Sequence, residues 1–330
     1  MLHRIAITGG SGFIGAALAD SFSDSFQVRI LDTRETRSIG AHVEYVQCDV
    51  RNSEEIERAL MGVDLVIHTA IVQIPHIDQD RRLGYEVNVI GTQNVCEAIR
   101  ESPSAKGLIL TGSWHTIGET DIRGLVDERF GLRPDKVEER ARMYALTKMA
   151  QEAIVRVYDE ESQDKVYGIV RIGTALGENM PEKTAANIFI DKALRGEALT
   201  PYDHSMHRPM LYVDVQDVCR AFRSYAQKIL NNQVQTSGNS LGHVVNVYYP
   251  EPTTILELAE IVKQSVMKCT NGRMKPEFRI VKTGQPSLFT PQDKQQIRVD
   301  ITKAKEFLGL ERLASPSESI DRIVSSRVKT

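Results

Sequence analysis

Arg4-Ile5-Ala6-Ile7-Thr8-Gly9-Gly10-Ser11-Gly12-Phe13-Ile14-Gly15 stands almost at the start of this chain. Arg4–Thr8 reads as a short buried strand, glycines interrupt it, and an apolar-periodic helix is predicted from about Gly12 to Phe22. Gly9, Gly12 and Gly15 are spaced G-x-x-G-x-x-G. Gly9 allows a tight turn, Gly12 lets the backbone approach a pyrophosphate at the positive helix end, and Gly15 seats the helix close to the sheet. Ser11, Phe13 and Ile14 share that turn and are expected to bind the cofactor with the glycines. Asp32 follows a second strand, Val28–Leu31, at the place where a carboxylate accepts hydrogen bonds from an adenosine ribose. The bland alternative is that Asp32 caps a turn. A 2′-phosphate about 4 Å from it would be repelled by roughly 4 kcal/mol per unit charge at an effective dielectric of about 20, so NAD is expected over NADP. Arg34 and Arg37 oppose that preference, because a guanidinium offsets the repulsion.

Working outward, Val43–Val46, Leu65–His68, Leu108–Thr111 and Val166–Ile172 are further apolar strands. Helices separate them: one opened by Ser53, a long one through Asn88 and Cys96, and one from about Glu138 to Glu160. Strands apolar throughout and alternating with helices indicate a parallel sheet covered on both faces. After about Ala175 the rhythm loosens, with helices near Ala185–Leu194, Val215–Ile229, Thr254–Lys268 and Ile301–Leu308 and polar loops at Asn231–Gly242 and Gly284–Gln296. The fold class is therefore α/β: a Rossmann-type, doubly wound parallel sheet with a smaller mixed α/β C-terminal lobe. Residues 1–175 are expected to form the cofactor domain, rejoined by about 205–247. Residues 176–330 are expected to form a substrate-binding lobe over the carboxyl ends of the strands, where such sheets bind ligands.

Composition narrows the class of function. The 330 residues carry 41 Lys+Arg against 44 Asp+Glu, both signs scattered, which leaves no basic footprint for nucleic acid. No stretch approaches the roughly 18 apolar residues of a membrane helix. Met1-Leu2-His3-Arg4 runs straight into the first strand without a secretory pattern. Cys48, Cys96, Cys219 and Cys269 are far apart, which argues against a zinc site or disulfide framework and for a reducing compartment. The expectation is a cytoplasmic protein with a small-molecule substrate and no metal. Asp203-His204-Ser205-Met206-His207 reads as a polar loop rather than a metal site, and the arginines at 123, 129, 133, 140 and 142 as a solvated surface.

Tyr144-Ala145-Leu146-Thr147-Lys148 places a phenol and an ammonium on one helix face, in the helix after the fifth strand. A free phenol has a pKa of about 10, and lowering it by about three units needs roughly 4 kcal/mol of preferential anion stabilisation. Lys148 and a positive nicotinamide ring would provide it in a water-poor cleft. Tyr144 could then take a proton from an alcohol while hydride leaves for NAD⁺. Ser113, at the end of the fifth strand, would hydrogen-bond the same oxygen.

These residues resemble an extended short-chain dehydrogenase/reductase of the NAD-dependent epimerase/dehydratase type. The resemblance runs nearly end to end: T-G-G-S-G-F-I-G at 8–15, Asp32, Cys48-Asp49-Val50, His68-Thr69-Ala70, Asn88-Val89-Ile90-Gly91-Thr92, Thr111-Gly112-Ser113, Y-A-L-T-K at 144–148 and Val170-Arg171-Ile172-Gly173. Tyr212-Val213-Asp214-Val215-Gln216-Asp217-Val218 and Asp300-Ile301-Thr302-Lys303-Ala304 continue it. The resemblance implies that Tyr144, Lys148 and Ser113 are catalytic and that Lys148 also holds the nicotinamide ribose. It places Asp49 and Val50 beside the adenine, Thr69 and Ala70 on the diphosphate side, and Asn88 at a structural or cofactor-adjacent position. It also implies a homodimer through helices around 89–100 and 144–158.

Departures bear on the reaction. The dehydratase branch has Asp-Glu directly after the catalytic Ser/Thr, where this chain has Trp114-His115. Ser113-Trp114-His115-Thr116-Ile117-Gly118 and Arg171-Ile172-Gly173-Thr174 also resemble the uronate dehydrogenases, which implies that His115 and Thr174 face the substrate. The alternative for His115 is a packed histidine near the strand end, and Trp114 reads as either core or a sugar-stacking platform. Many nucleotide-sugar epimerases have Phe-Asn in place of Gly173-Thr174, yet the large lobe suits a bulky substrate. Arg208 lies near the family's phosphate-binding arginine. The leading reading is a nucleotide-sugar epimerase using NAD through a transient keto intermediate. The alternatives are a net dehydrogenase or reductase of a sugar, uronate or other bulky alcohol, and a non-catalytic NAD sensor or scaffold.

Overall fold

Seven parallel strands form the main sheet in the computed structural model, which describes residues 2–35, 42–236 and 238–329. Arg37 lies outside the described residues. In chain order the elements are β1 (Arg4–Thr8), α1 (Phe13–Phe22), β2 (Gln27–Asp32), β3 (Val43–Gln47), α2 (Ser53–Ala59), β4 (Leu65–His68), α3 (His76–Gln79), α4 (Arg81–Tyr85), α5 (Gly91–Glu101) and β5 (Gly107–Ser113). They continue as β6 (Gly124–Val126), α6 (Arg142–Glu161), β7 (Val166–Ile172), β8 (Thr174–Leu176), α7 (Ala185–Leu194), β9 (Pro209–Met210), β10 (Tyr212–Asp214) and α8 (Val215–Leu230). The chain ends through β11 (Val244–Val247), β12 (Thr253–Thr254), α9 (Ile255–Cys269), β13 (Ile297–Val299), α10 (Thr302–Leu308) and α11 (Pro316–Lys329). The sheet order is β11-β7-β5-β4-β1-β2-β3, so the strand order reverses between β1 and β4, beside the glycine turn.

The apolar strands account for the two covered faces. Side chains alternate along a strand, so Ile5 and Ile7 of β1 join Leu18 and Phe22 of α1 and Phe222 of α8 in one core. Ala6 points the other way, into a core with Ile56 of α2, Val95 and Ile99 of α5 and Val155 of α6. A third core, with Leu258 and Val262 of α9, Phe189 and Ile190 of α7 and Ile320 and Val324 of α11, fills the C-terminal lobe. Small two-stranded pairings follow, β8 with β10 and β9 with β12, while β13 pairs with β6 of the segment before α6. Among the described residues, no helix is long and apolar enough to cross a membrane.

The structure differs from the sequence reading in several places, the short strands β6, β8, β9, β10, β12 and β13 among them. The expected long helix through Asn88 is broken into α3, α4, a π turn at Glu86–Ile90, and α5. Gly91 explains the close approach there, because a β-carbon on it would lie 2.5 Å from Val50 Cγ2. The helix expected from Glu138 begins at Arg142, and Glu139–Ala141 forms a 3-10 turn. Glu138 is drawn away by a two-pronged bond from Arg208. Finally, α11 and β11 are present in segments that had no predicted element.

Candidate active site

The glycine turn is a close-fitting cradle. Gly9 has φ +68, and a β-carbon on it would lie 2.7 Å from both the Cα and N of Ala70. A β-carbon on Gly15 would stand 2.3 Å from the Gly9 carbonyl oxygen. The first amides of α1 have no partner within the helix, and its N-cap Gly12 has no side chain to satisfy them. They point outward at the sheet's switch point, as an anion site requires. Phe13, Ile14 and Gly15 form that first turn.

Asp32 is buried at the end of β2, its Oδ2 accepting the Ser11 amide at 3.0 Å and its Oδ1 the Arg34 amide at 3.0 Å. The Arg34 side chain lies 3.7 Å from the same carboxylate. Thr69 donates its hydroxyl to the Thr8 carbonyl at 2.7 Å, which holds the end of β4 against the turn. Asp49 is gripped by Arg51, whose guanidinium holds the carboxyl below the usual range. Val50 is buried beside Gly91. Asn88 is fully buried: its Oδ1 accepts the Val72 amide at 2.7 Å, and its Nδ2 donates to Thr147 Oγ1 at 3.0 Å. Its contacts are those of a structural residue joining the π turn to α6.

Behind the cradle, His68 links Thr8 Oγ1 at 2.6 Å to Thr92 Oγ1 at 2.9 Å. Thr92 gives its own hydrogen to the Asn88 carbonyl and accepts from Gln151 Nε2. His68 Nε2 must therefore donate to Thr92, and Nδ1 accepts the Thr8 hydroxyl, which makes the ring neutral. Burial, reinforced by the Lys148 charge, pushes its pKa down to about 3. The unfolded chain takes up a proton on this histidine below about pH 6.5 whereas the folded chain does not, so acid destabilises the fold. The contribution is about 1.4 kcal/mol per pH unit between roughly 6.5 and 3. Urea midpoints at pH 7, 5 and 4 should show this slope in the wild type, and His68→Gln should lack its share of it.

Tyr144 and Lys148 lie one turn apart on α6, and Ser113 ends β5. Lys148 is buried, donates to the Thr111 carbonyl at 2.7 Å and is pushed down by burial to about 7. Burial pushes the Tyr144 phenol up, and the Ser113 hydroxyl beside it pulls the other way. The His115 ring stands edge-on to Tyr144 with centroids 5.5 Å apart. Its Nδ1 is 3.2 Å from Ser113 Oγ, and its Nε2 is 3.6 Å from Glu119 Oε1.

Beyond His115 lies a network of two acids and two bases. Arg140 bonds Glu119 and reaches Glu138 at 3.5 Å, Arg208 grips Glu138 with two nitrogens, and the Glu138 amide donates to Glu119 Oε2 at 3.3 Å. Glu119 is fully buried, and Arg208 also lies over the Phe289 ring. Thr174 Oγ1 accepts the Trp114 indole N–H at 3.0 Å, and Trp114 is 1% exposed, so Trp114 is core and not a sugar platform. The Arg-rich insert divides: Arg123 and Arg129 pair with Asp121 and Asp127 at the surface, whereas Arg140 turns into the network.

The model of the NAD dependent epimerase/dehydratase family matches residues 5–246. The chain belongs to that family. It is an NAD-dependent extended short-chain dehydrogenase/reductase in class, as its residues suggested. It is 27% identical over 333 residues to a putative UDP-glucose 4-epimerase of Methanocaldococcus jannaschii, covering 97% of both chains. It is 26% identical over 328 residues to UDP-glucuronic acid decarboxylase 1 of Danio rerio, covering 97% of this chain and 72% of that protein. Among solved structures, MoeE5 in complex with UDP-glucuronic acid and NAD superposes with a TM-score of 0.76 at 20% identity, over 99% of this chain and all of that one. That superposition fixes the fold.

For a member of the epimerase/dehydratase family, the neighbourhood of Ser113 holds more charge than its sequence shows. Glu119 and Glu138 were not singled out by sequence reasoning. The spacing of Glu119, four residues after His115, was the available signal. Glu138 carried none, because its partner Arg208 is 70 residues away.

Proposed function

We propose that this chain is an NAD-dependent nucleotide-sugar epimerase, which oxidises one ring carbinol to a ketone and reduces it again on the opposite face. The observation that carries the reading is that Tyr144 and Lys148 share one turn of α6, with Lys148 bonded to the Thr111 carbonyl of β5 and Tyr144 beside Ser113 at the end of that strand. Likeness to the putative UDP-glucose 4-epimerase over 97% of both chains, lobe included, supports the substrate class. The turn at Gly9, Ser11, Gly12, Phe13, Ile14 and Gly15 would hold the diphosphate of NAD, with Thr69 and Ala70 beside it. Asp32 would hold the ribose, Asp49 and Val50 the adenine side, and Lys148 the nicotinamide ribose, with Asn88 supporting that wall from behind. NAD supplies the hydride acceptor. Tyr144 accepts the hydroxyl proton as the carbon–hydrogen bond passes its electron pair away, and returns it in the reverse step. Ser113 bonds the reacting oxygen, while the Lys148 charge favours the phenolate. His115, Thr174 and Arg208 line the proposed sugar site.

Residues 1–175 with 205–247 would form the cofactor domain, because β11 adds to the main sheet beside β7 and α8 packs on α1. Residues 176–330 would supply the substrate lobe. Tyr85, Ile90 and Val157, exposed on α4, the π turn and α6, fit a homodimer face. The dehydratase reaction is disfavoured by Trp114 and His115, since Trp114 is locked in the core. A second reading, net oxidation of a sugar or uronate, is favoured by the contact of His115 with Ser113. UDP-glucose and UDP-glucuronate, each incubated with the NAD-loaded enzyme, separate the two. Inverted product without net NADH is expected, and stoichiometric NADH would give the net dehydrogenase.

Asp32→Ser tests the cofactor assignment. Removing the carboxylate should raise the KM for NAD at least about tenfold, the equivalent of about 1.4 kcal/mol, and should lower the KM for NADP. An unchanged ratio of the two KM values would remove Asp32 from the site.

A further inference from the structure

Ser113 has a single hydrogen to donate and two neighbours able to take it. Its oxygen already accepts the His115 backbone amide at 3.3 Å. One lone pair and the hydroxyl hydrogen remain, to be divided between His115 Nδ1 at 3.2 Å and the Tyr144 phenol. The tautomer of His115 decides the division. Glu119 Oε1 stands 3.6 Å from Nε2, and its carboxylate is fixed by Arg140 and by the Glu138 amide. An acceptor in that position favours the hydrogen on Nε2, which leaves Nδ1 bare. The Ser113 hydrogen then points at Nδ1, and Tyr144 donates into the remaining lone pair of Ser113.

We propose that His115 is a positioning residue that holds the Ser113 hydrogen, keyed in its Nε2–H tautomer by Glu119. The resting site then offers the oxygen of Ser113, and not its hydrogen, to the phenol and to an incoming alcohol. The inference rests on the reading of Tyr144 as the acid/base. Its chemical consequence is directional. An alcohol brings a hydrogen, which Ser113 can accept, whereas a ketone needs one, so Ser113 must turn away from His115 as the carbonyl forms. His115 therefore favours bound alcohol over bound ketone and limits how long a keto intermediate persists. It also withholds from the phenolate the donor that would stabilise it. The charged groups facing this cluster are Lys148 from α6, Glu119, Glu138 and Arg140 from the segment before α6, and Arg208 from the lobe, with the Tyr212 phenol behind them. Burial first, and then the two guanidiniums, oppose a positive charge on His115, which keeps the ring neutral and the tautomer decisive.

The test titrates the Tyr144 phenol in the NAD⁺-loaded enzyme by ultraviolet difference absorbance, with Tyr144→Phe as the blank for the other nine of ten tyrosines. No sugar is present, so a wrong substrate assignment leaves this measurement intact. His115→Leu should free the Ser113 hydrogen for the phenolate and lower the phenol's pKa by about one pH unit, the scale of a hydrogen bond to a charged group. Glu119→Ala, which removes the acceptor facing Nε2 and leaves the Arg140 donors beside it, should reverse the tautomer and move the pKa the same way with the imidazole still in place. In a Ser113→Ala background His115→Leu should have no effect, since no hydrogen remains to be released. A phenol pKa that stays or rises in both His115→Leu and Glu119→Ala overturns the proposal, as does a shift that survives Ser113→Ala. Should His115→Leu fail to fold, the Glu119→Ala pair with and without Ser113 decides alone.

Discussion

Tyr144→Phe should lower kcat by roughly 10²- to 10⁴-fold, the range of a positioned general acid/base, while binding of NAD stays within about a factor of two. The substitution removes a single oxygen. The ring remains on α6, edge-on to His115 with centroids 5.5 Å apart, so the local packing survives. Loss of the hydroxyl, which stands beside Ser113, should cost about 1 kcal/mol of stability, too little to confuse with unfolding. Burial raises the phenol, so the free protein alone does not ionise it at neutral pH. The active phenolate needs the Lys148 ammonium and the positive nicotinamide, which ties this prediction to a second readout. Lys148, pushed down to about 7, loses its charge as pH rises through that value, so support for the phenolate weakens above neutrality unless the bound ribose restores it. Steady-state kinetics and quenching of protein fluorescence by NAD check both halves. Activity within tenfold of wild type would remove Tyr144 from the chemistry.

Arg171→Leu is expected to produce the largest loss of stability. Arg171 lies at the end of β7, with its guanidinium 2% exposed and its partner Glu152 on α6 fully buried. Its Nε donates to Glu152 Oε2 at 2.9 Å, and a third nitrogen donates to the Glu128 carbonyl at 3.1 Å. Removing one partner of such a pair leaves an uncompensated charge in the interior, which costs about 3–5 kcal/mol. Replacing both at once removes that charge, so Arg171→Leu combined with Glu152→Leu should lie within about 2 kcal/mol of wild type. Urea unfolding midpoints of the two singles and the double form the test. A double variant less stable than Arg171→Leu would show that the pair's geometry, and not its charge balance, supports the sheet there.

The parts of this molecule legible in its sequence are those governed by short-range periodicity. The apolar cores of β1 (Ile5–Ile7) and β4 (Leu65–Ile67) and the Val28–Leu31 run of β2, which only Arg29 interrupts, were readable, and α7 falls at Ala185–Leu194 as its pattern predicts. Gly9 and Gly15 were readable because backbone geometry leaves few other residues a place there. What was not readable depends on partners far along the chain. The start of α6 shifts from Glu138 to Arg142 because Arg208, 70 residues away, claims Glu138. β11, in which Asn246 interrupts the apolar run, follows a polar loop and becomes a strand by pairing with β7. The π turn is set by where Asn88 finds Val72 and by the contact of Gly91 with Val50. In the site, Tyr144, Lys148 and Ser113 could be named beforehand, but the acids behind His115 could not. The sequence comparison registered the missing Asp-Glu pair after Ser113, whereas the fold brings Glu119 to the far side of His115.

The central claim is that a hydride leaves one ring carbon and returns to it, with the proton handled at Tyr144. Turnover of UDP-glucose or UDP-glucuronate by the NAD-loaded enzyme in deuterium oxide tests this most directly, by reading the inverted carbon of the product by mass spectrometry and proton resonance. A hydride that never meets solvent predicts an inverted product with no carbon-bound deuterium at that centre. Deuterium incorporated at the inverted carbon would mean that the bond was broken as a proton, and would contradict the account.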